Sequence, residues 1–198
     1  MDAHKDRTSS KIGMWLFLLS EILLFGGLFL LYAVYRYKFS VDFHHAAGEL
    51  DRVIGTFNTL ILLTSSLTMV LSLSSVRRGS RIASLVWLGA TLLLGLFFLF
   101  NKVVEWGIKF HHGIYPNSSV LVERSNGEVL FFGLYYAMTG LHGLHVLAGL
   151  CLLGVTSFFV AKGRIHETND AFIENAGLYW HLVDILWIFL FPLLYLMT

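Results

Sequence analysis

The residues with chemical potential in this chain are few and widely spaced. Glu21 interrupts an otherwise apolar run, His142 and His145 sit three apart in another, and His181 and Asp184 sit three apart in a third. An ionisable side chain in the centre of a bilayer costs at least about 2.5–3.5 kcal/mol on insertion scales, so such residues mark function or specific packing. The i, i+3 spacing lets the His181 imidazole and the Asp184 carboxylate approach on one helix face. Apposition of Glu21 to His142 or His145 would reduce the desolvation penalty of both partners. Four chemistries fit these residue types: a haem or metal held by imidazoles of neighbouring helices, a proton relay, buried polar groups that fix helix register, and a lipid or partner surface with flanking cations. No continuous series of such groups links one membrane face to the other in the sequence, which argues against a complete proton path within the chain.

A further cluster, Asn101-Lys102-Val103-Val104-Glu105-Trp106, ends the third apolar run. Lys102 and Glu105 share a face at the expected membrane boundary, where Lys snorkels and Trp is favoured, so Lys102, Glu105 and Trp106 read as an interfacial anchor. His44-His45 and His111-His112 fall in connections, where histidines are more often solvated than metal-bound.

The elements that must position these groups follow from composition. Of 198 residues, 56% are hydrophobic and 14% charged, against about 45–50% apolar and about 25% charged in soluble domains. This balance excludes a disordered chain or a nucleic-acid binder and argues against a soluble enzyme. Net charge is +1, and Cys151 is the single cysteine, so no internal disulfide framework is possible. A span needs about 20 apolar residues. The sequence therefore predicts an all-α integral membrane bundle, one domain over 1–198, with five transmembrane helices near 12–36, 54–76, 82–108, 128–161 and 172–197. The first run is too long for a signal h-region and reads as a retained helix. Pro192 is expected to bend the last turns.

Lys5, Arg7, Lys11, Arg77, Arg78, Arg81, Lys162 and Arg164 lie in short segments on one side. Arg36, Lys38, Arg52, Lys102, Lys109 and Arg124 are spread over longer, acid-bearing connections on the other. The positive-inside rule then places the N-terminus in the cytoplasm and the C-terminus outside. Gly133, Ala137 and Gly140 form a small-residue stripe expected to admit another backbone closely, and Met138, His142, His145 and Gly149 form a second protein-facing stripe. Gly177, His181, Asp184 and Ile188 form a comparable stripe on the last helix.

Together these residues resemble a known family. Thr139-Gly140-Leu141-His142-Gly143-Leu144-His145-Val146 through Gly149, followed by Tyr179-Trp180-His181-Leu182-Val183-Asp184-Ile185-Leu186-Trp187, resembles the signature of subunit III of the haem-copper respiratory oxidases. Trp15, Phe17, Ser20, Glu21 and Phe25 fit its first pattern, and Asn58-Thr59 and Lys102…Glu105-Trp106 fit in order. The resemblance implies a non-catalytic, phospholipid-binding subunit of the bacterial inner membrane with no catalytic, metal or cofactor residue of its own, packed beside subunit I with its haems and copper and assembled with subunit II. Cytochrome c or quinol would contact those other subunits. It matches Glu21 to a buried helix carboxylate thought to act on proton uptake and durability through the large subunit, and makes Glu21, His145, His181 and Asp184 one buried polar cluster. The bundle would shield the large subunit's proton-entry region and hold lipid near it, with His4 and the basic inner segments adding to that surface. An accessory subunit of nitric oxide reductase, and a freestanding bis-histidine haem protein, are the alternatives.

Overall fold

The computed structural model describes residues 2–197, with side chains from Lys11 onward. Lys5, Arg7 and His4, named above for the basic face, therefore lie outside the described side chains. The helices are α1 (Asp2–Lys38), α2 (Ser40–Gly48), α3 (Arg52–Arg77), α4 (Arg81–His111), α5 (Ser119–Val122), α6 (Asn126–Ala161) and α7 (Ala171–Phe191), closed by a π-helical turn at Pro192–Leu196. Among the described residues there is no sheet, only an isolated bridge between His166 and Asn169. Five helices are long and apolar enough to cross a membrane. The chain is an all-α membrane bundle.

Local chemistry sets the helix ends. Asp51 caps α3 by accepting from the Val53 and Ile54 amides, and Ser125 caps α6 by accepting from the Glu128 amide. The turns after α3 and α6 each need a left-handed residue, and Gly79 and Gly163 supply it with φ of 71°. In both, the next amide reaches back across the last turn, Ser80 to the Ser75 carbonyl and Arg164 to the Phe159 carbonyl. Pro192 has no amide proton to continue the α-helical ladder. The chain widens there instead, and the Met197 amide donates to the Pro192 carbonyl at 3.0 Å.

Two elements fall where connections were expected. Residues 40–48 form α2, whose Phe43, Ala46 and Ala47 are buried at helical spacing. Phe43 packs edge-on against Tyr32 and Phe131, at 5.3 and 5.4 Å between ring centres, closing that end of the bundle. In the 101–128 stretch, α4 continues to His111 and the short α5 follows.

α3 and α4 form the most intimate pair, α7 lies against both α3 and α6, and α4 packs on α6. Buried residues make up 61% of the best apolar window of the last span and 11% of the first, so α7 is central and α1 peripheral. Lipid is as apolar as leucine, so burial alone does not drive helices together in a bilayer. Polar pairs supply specificity instead. Between α3 and α4, Asn101 donates to Asn58 at 2.9 Å, and the Thr68–Thr91 and Ser72–Ser84 hydroxyls meet at 2.8 and 2.9 Å. Trp180 and Trp187 of α7 donate to Ser65 and Thr59 of α3 at 3.0 and 3.1 Å. At the N-terminal end of the bundle, Arg77 binds Asp170 at 2.7 Å and Lys11 binds Glu174 at 2.9 Å, tying α3 and α1 to the start of α7.

Close approach occurs at glycines other than the expected stripe. Gly133 has open space where a side chain would project, Ala137 is exposed, and Gly140 faces the Trp106 ring. Among the described residues no backbone approaches them, so that stripe is left open within the bundle. Crowded positions include Gly95 and Gly149, both against Trp180, Gly55 against Phe191, and Gly127 against Asp42. Bulky indoles and phenyls need room opposite, and glycine supplies it.

Candidate functional site

The ionisable residues within the spans fall into separate groups. Glu21 and His145 form the first, between α1 and α6. Leu18, Glu21, Phe25 and Tyr32 share the inward face of α1, and Glu21 Oε2 lies 2.8 Å from His145 Nε2. His145 Nδ1 lies 2.8 Å from the Leu141 carbonyl, which can only accept, so Nδ1 carries the proton. The Phe25 ring sits edge-on to the imidazole at 5.5 Å, and Tyr179 donates to the His145 carbonyl at 3.0 Å. The two side chains retain 14% and 15% exposure, so the pair borders the outside of the bundle rather than its centre.

His142 does not join it. It is fully buried, packed on Phe98 and Trp187 with ring centres at 5.5 and 5.2 Å, and neither nitrogen has a partner among the described residues. His181 bonds the Ser66 hydroxyl of α3 at 2.6 Å rather than Asp184. Asp184 is 3% exposed, and the same Ser66 hydroxyl is its polar neighbour. The expected direct His181–Asp184 contact is not made: His181 pairs with Ser66 of α3, and neither Asp184 carboxylate oxygen has a hydrogen-bond partner among the described residues. Gly177 faces Met69, but Ile188 points outward and leaves that stripe. The single polar cluster expected from the sequence is therefore divided among three places. The three imidazoles address three different sets of partners, unlike a pair converging on one haem.

Lys102 and Glu105 are buried, with side chains 8% and 4% exposed, and do not act as a boundary anchor. Lys102 Nζ donates to Glu105 Oε2 at 2.9 Å and to the Tyr195 hydroxyl at 2.8 Å. Tyr195 and Tyr135 in turn donate to Glu105 Oε1 at 2.6 and 2.7 Å. Each charge has its counter-charge and its hydrogen bonds, which is what makes a buried ion pair tolerable. The network joins α4, α6 and the π-helical turn, and that turn is what brings Tyr195 within reach. Trp106 lies beside it, half-buried against Tyr136 at 5.3 Å.

A surface group caps this end. His45 Nδ1 lies 2.9 Å from Glu128 Oε1, and Arg124 binds both Glu49 and Glu128. His45, Glu49 and Glu128 are the one trio of metal-ligand types within reach of each other among the described residues. The Arg124 guanidinium already supplies the cation, and its hydrogen bond to Glu49 pushes its pKa up further. His112 bonds its own helix carbonyl at Ile108.

Fold and site together define a multi-spanning helical membrane protein whose intramembrane charges are paired or packed inside the bundle rather than gathered around a substrate cavity. The family described as "Cytochrome c oxidase subunit III" matches residues 3–198, and the chain belongs to that family. It is 32% identical over 197 residues to the cytochrome c oxidase subunit 3 of Thermostichus vulcanus, covering 99% of this chain and 91% of that protein. It is 33% identical over 202 residues to the cytochrome c oxidase subunit 3 of Alkalihalophilus pseudofirmus, covering 100% and 93%. To the cytochrome bo(3) ubiquinol oxidase subunit 3 of Pseudomonas aeruginosa it is 32% identical over 207 residues, covering 98% and 88%.

Sequence reasoning missed the tyrosine partners of Glu105 and the α3 serines and threonines. Tyr135 and Tyr195 read as ordinary aromatic residues in apolar runs, and only the tertiary fold makes them donors. The α3 residues did carry a signal: Ser65, Thr68 and Ser72 repeat at helical spacing on one face.

Proposed function

We propose that this chain serves as the non-catalytic subunit III of a bacterial haem-copper terminal oxidase, in a complex that reduces dioxygen and translocates protons. Its partners are the catalytic subunit I, which holds haems and copper, and subunit II. The electron donor, cytochrome c or quinol, is met by those subunits. The N-terminus faces the cytoplasm and the C-terminus the outside. The bundle shields the proton-entry region of the large subunit and holds phospholipid beside it. The observation carrying this reading is the family match across residues 3–198. The Glu21–His145 bond at 2.8 Å supports the role of that pair, because it lies at the bundle's edge where a neighbouring subunit can pack against it. The test is sustained turnover of the complex purified with and without this chain. The initial rate should be retained without it, and activity should decay faster. Equal decay would overturn the reading.

A further inference from the structure

One group of side chains outside the spans' buried pairs has the donor types of a metal site. His45 and Glu49 stand one helical turn apart at the C-terminal end of α2. Glu128 reaches them from the first turn of α6. One ligand atom from each of these residues lies within 4.8 Å of the others. His45 Nδ1 is already 2.9 Å from Glu128 Oε1. The His45 side chain is 69% exposed, so Nδ1 can turn from donor to ligand by leaving the proton to the other ring nitrogen in water. Arg124 does not close the site. It donates to Glu49 Oε1 and, at 3.3 Å, to Glu128 Oε2, one oxygen of each carboxylate. Glu49 Oε2 and Glu128 Oε1 remain for an ion, and a donor on the other oxygen is what orients a ligating carboxylate. The surrounding charge favours a cation. Asp42 lies against Gly127, next to Glu128, and Asp51 acts with Glu49 on Lys109. The carboxylates Asp42, Glu49, Asp51 and Glu128 are thus set against the cations Arg124 and Lys109. One imidazole nitrogen with two carboxylate oxygens is a Zn2+ donor set, whereas Mg2+ and Ca2+ prefer shells of oxygen alone.

We propose that His45, Glu49 and Glu128 bind one Zn2+ ion, with water completing a tetrahedral shell. The ion joins α2 to α6 at the end of the bundle where Phe43 packs on Phe131. The site plays no part in the subunit assignment above, and neither claim depends on the other.

The test is calorimetric titration of the full-length chain in detergent, stripped of metal with EDTA, with zinc chloride for wild type, H45A, H44A and E128Q. Wild type should bind one equivalent. H45A and E128Q should each weaken binding about tenfold or more, since even a partner outside the ligand sphere is worth that much. H44A, at the adjacent exposed histidine, should bind as wild type does. His45 is exposed, so H45A decides the matter if E128Q does not fold. X-ray absorption at the zinc edge of the stoichiometric complex should show one imidazole, with nitrogen and oxygen ligands at about 2.0–2.2 Å. Binding to wild type no tighter than about 1 mM, equal affinity of wild type and H45A, or a loss in H44A as large as that in H45A would overturn the proposal.

Discussion

Replacing Glu105 by Gln should be the most damaging single change in the bundle interior. The Glu105 carboxylate accepts from Lys102, Tyr135 and Tyr195 at 2.9, 2.7 and 2.6 Å and is 4% exposed. Lys102 and Lys109 both flank the Tyr135 ring, at 5.4 and 5.9 Å from its centre, and both are buried. Lys109 donates to the Glu49 carbonyl and also lies within the field of the Glu49 and Asp51 carboxylates, so E105Q leaves Lys102 as the buried ammonium without a carboxylate. Breaking a buried ion pair costs about 3–5 kcal/mol, whereas a neutral interhelical hydrogen bond in a membrane protein averages about 0.6 kcal/mol. The charge effect dominates, and E105Q should lose about 3 kcal/mol or more. K102M should lose less, because Lys109 and two tyrosines still face the carboxylate. The double variant K102M/E105Q should be more stable than the sum of the two losses requires, since it removes both charges at similar volume. The assay is unfolding of the purified full chain in mixed micelles, followed by circular dichroism as denaturing detergent is added. An E105Q loss below about 0.5 kcal/mol, or strict additivity in the cycle, would refute this account of the network.

Five further outcomes are expected. Glu21→Ala should leave haem content and initial turnover of the complex intact but hasten inactivation during sustained turnover; immediate haem loss would contradict the peripheral position of the pair. Gly95→Ala places a methyl 2.7 Å from Trp180 Cη2 and 2.8 Å from Leu150 Cδ2 and should cost about 1–3 kcal/mol. Gly26→Ala, with open space around it, should be neutral or stabilising in the same unfolding assay. Ser72→Ala should cost only about 0.6 kcal/mol, the scale of one interhelical bond. For orientation, alkaline phosphatase fused at the C-terminus should be active, and an inactive fusion there would reverse the topology.

Much of the architecture was legible because a bilayer imposes a simple length rule. Charge-free runs located the spans, and the few ionisable residues within them carried the family resemblance. Which of those residues meet was not legible. Spacing along one helix proposed His181 with Asp184, but His181 pairs with Ser66 of α3, because interhelical partners depend on rotation and depth that one sequence does not specify. Lys102 read as a boundary residue because its neighbours Asn101 and Trp106 suit an interface. It is buried, with Glu105 and Tyr195 as its partners inside the bundle. The α2 helix was hidden inside an expected connection, although Phe43, Ala46 and Ala47 have the spacing of a buried helical face. Small residues misled in the opposite sense. The stripe with the clearest spacing, Gly133, Ala137 and Gly140, is largely uncovered, and the glycines that matter for packing are those opposite Trp180.

The central claim is that this chain assembles with a haem-bearing subunit and carries no redox centre of its own. The most direct measurement is a reduced-minus-oxidised spectrum of material purified by a tag on this chain, taken first as the intact complex and then as the dissociated single chain. The account predicts a haem signal from the complex, with a larger subunit in stoichiometric amount, and none from the chain alone. A haem signal that stays with the single chain would contradict it.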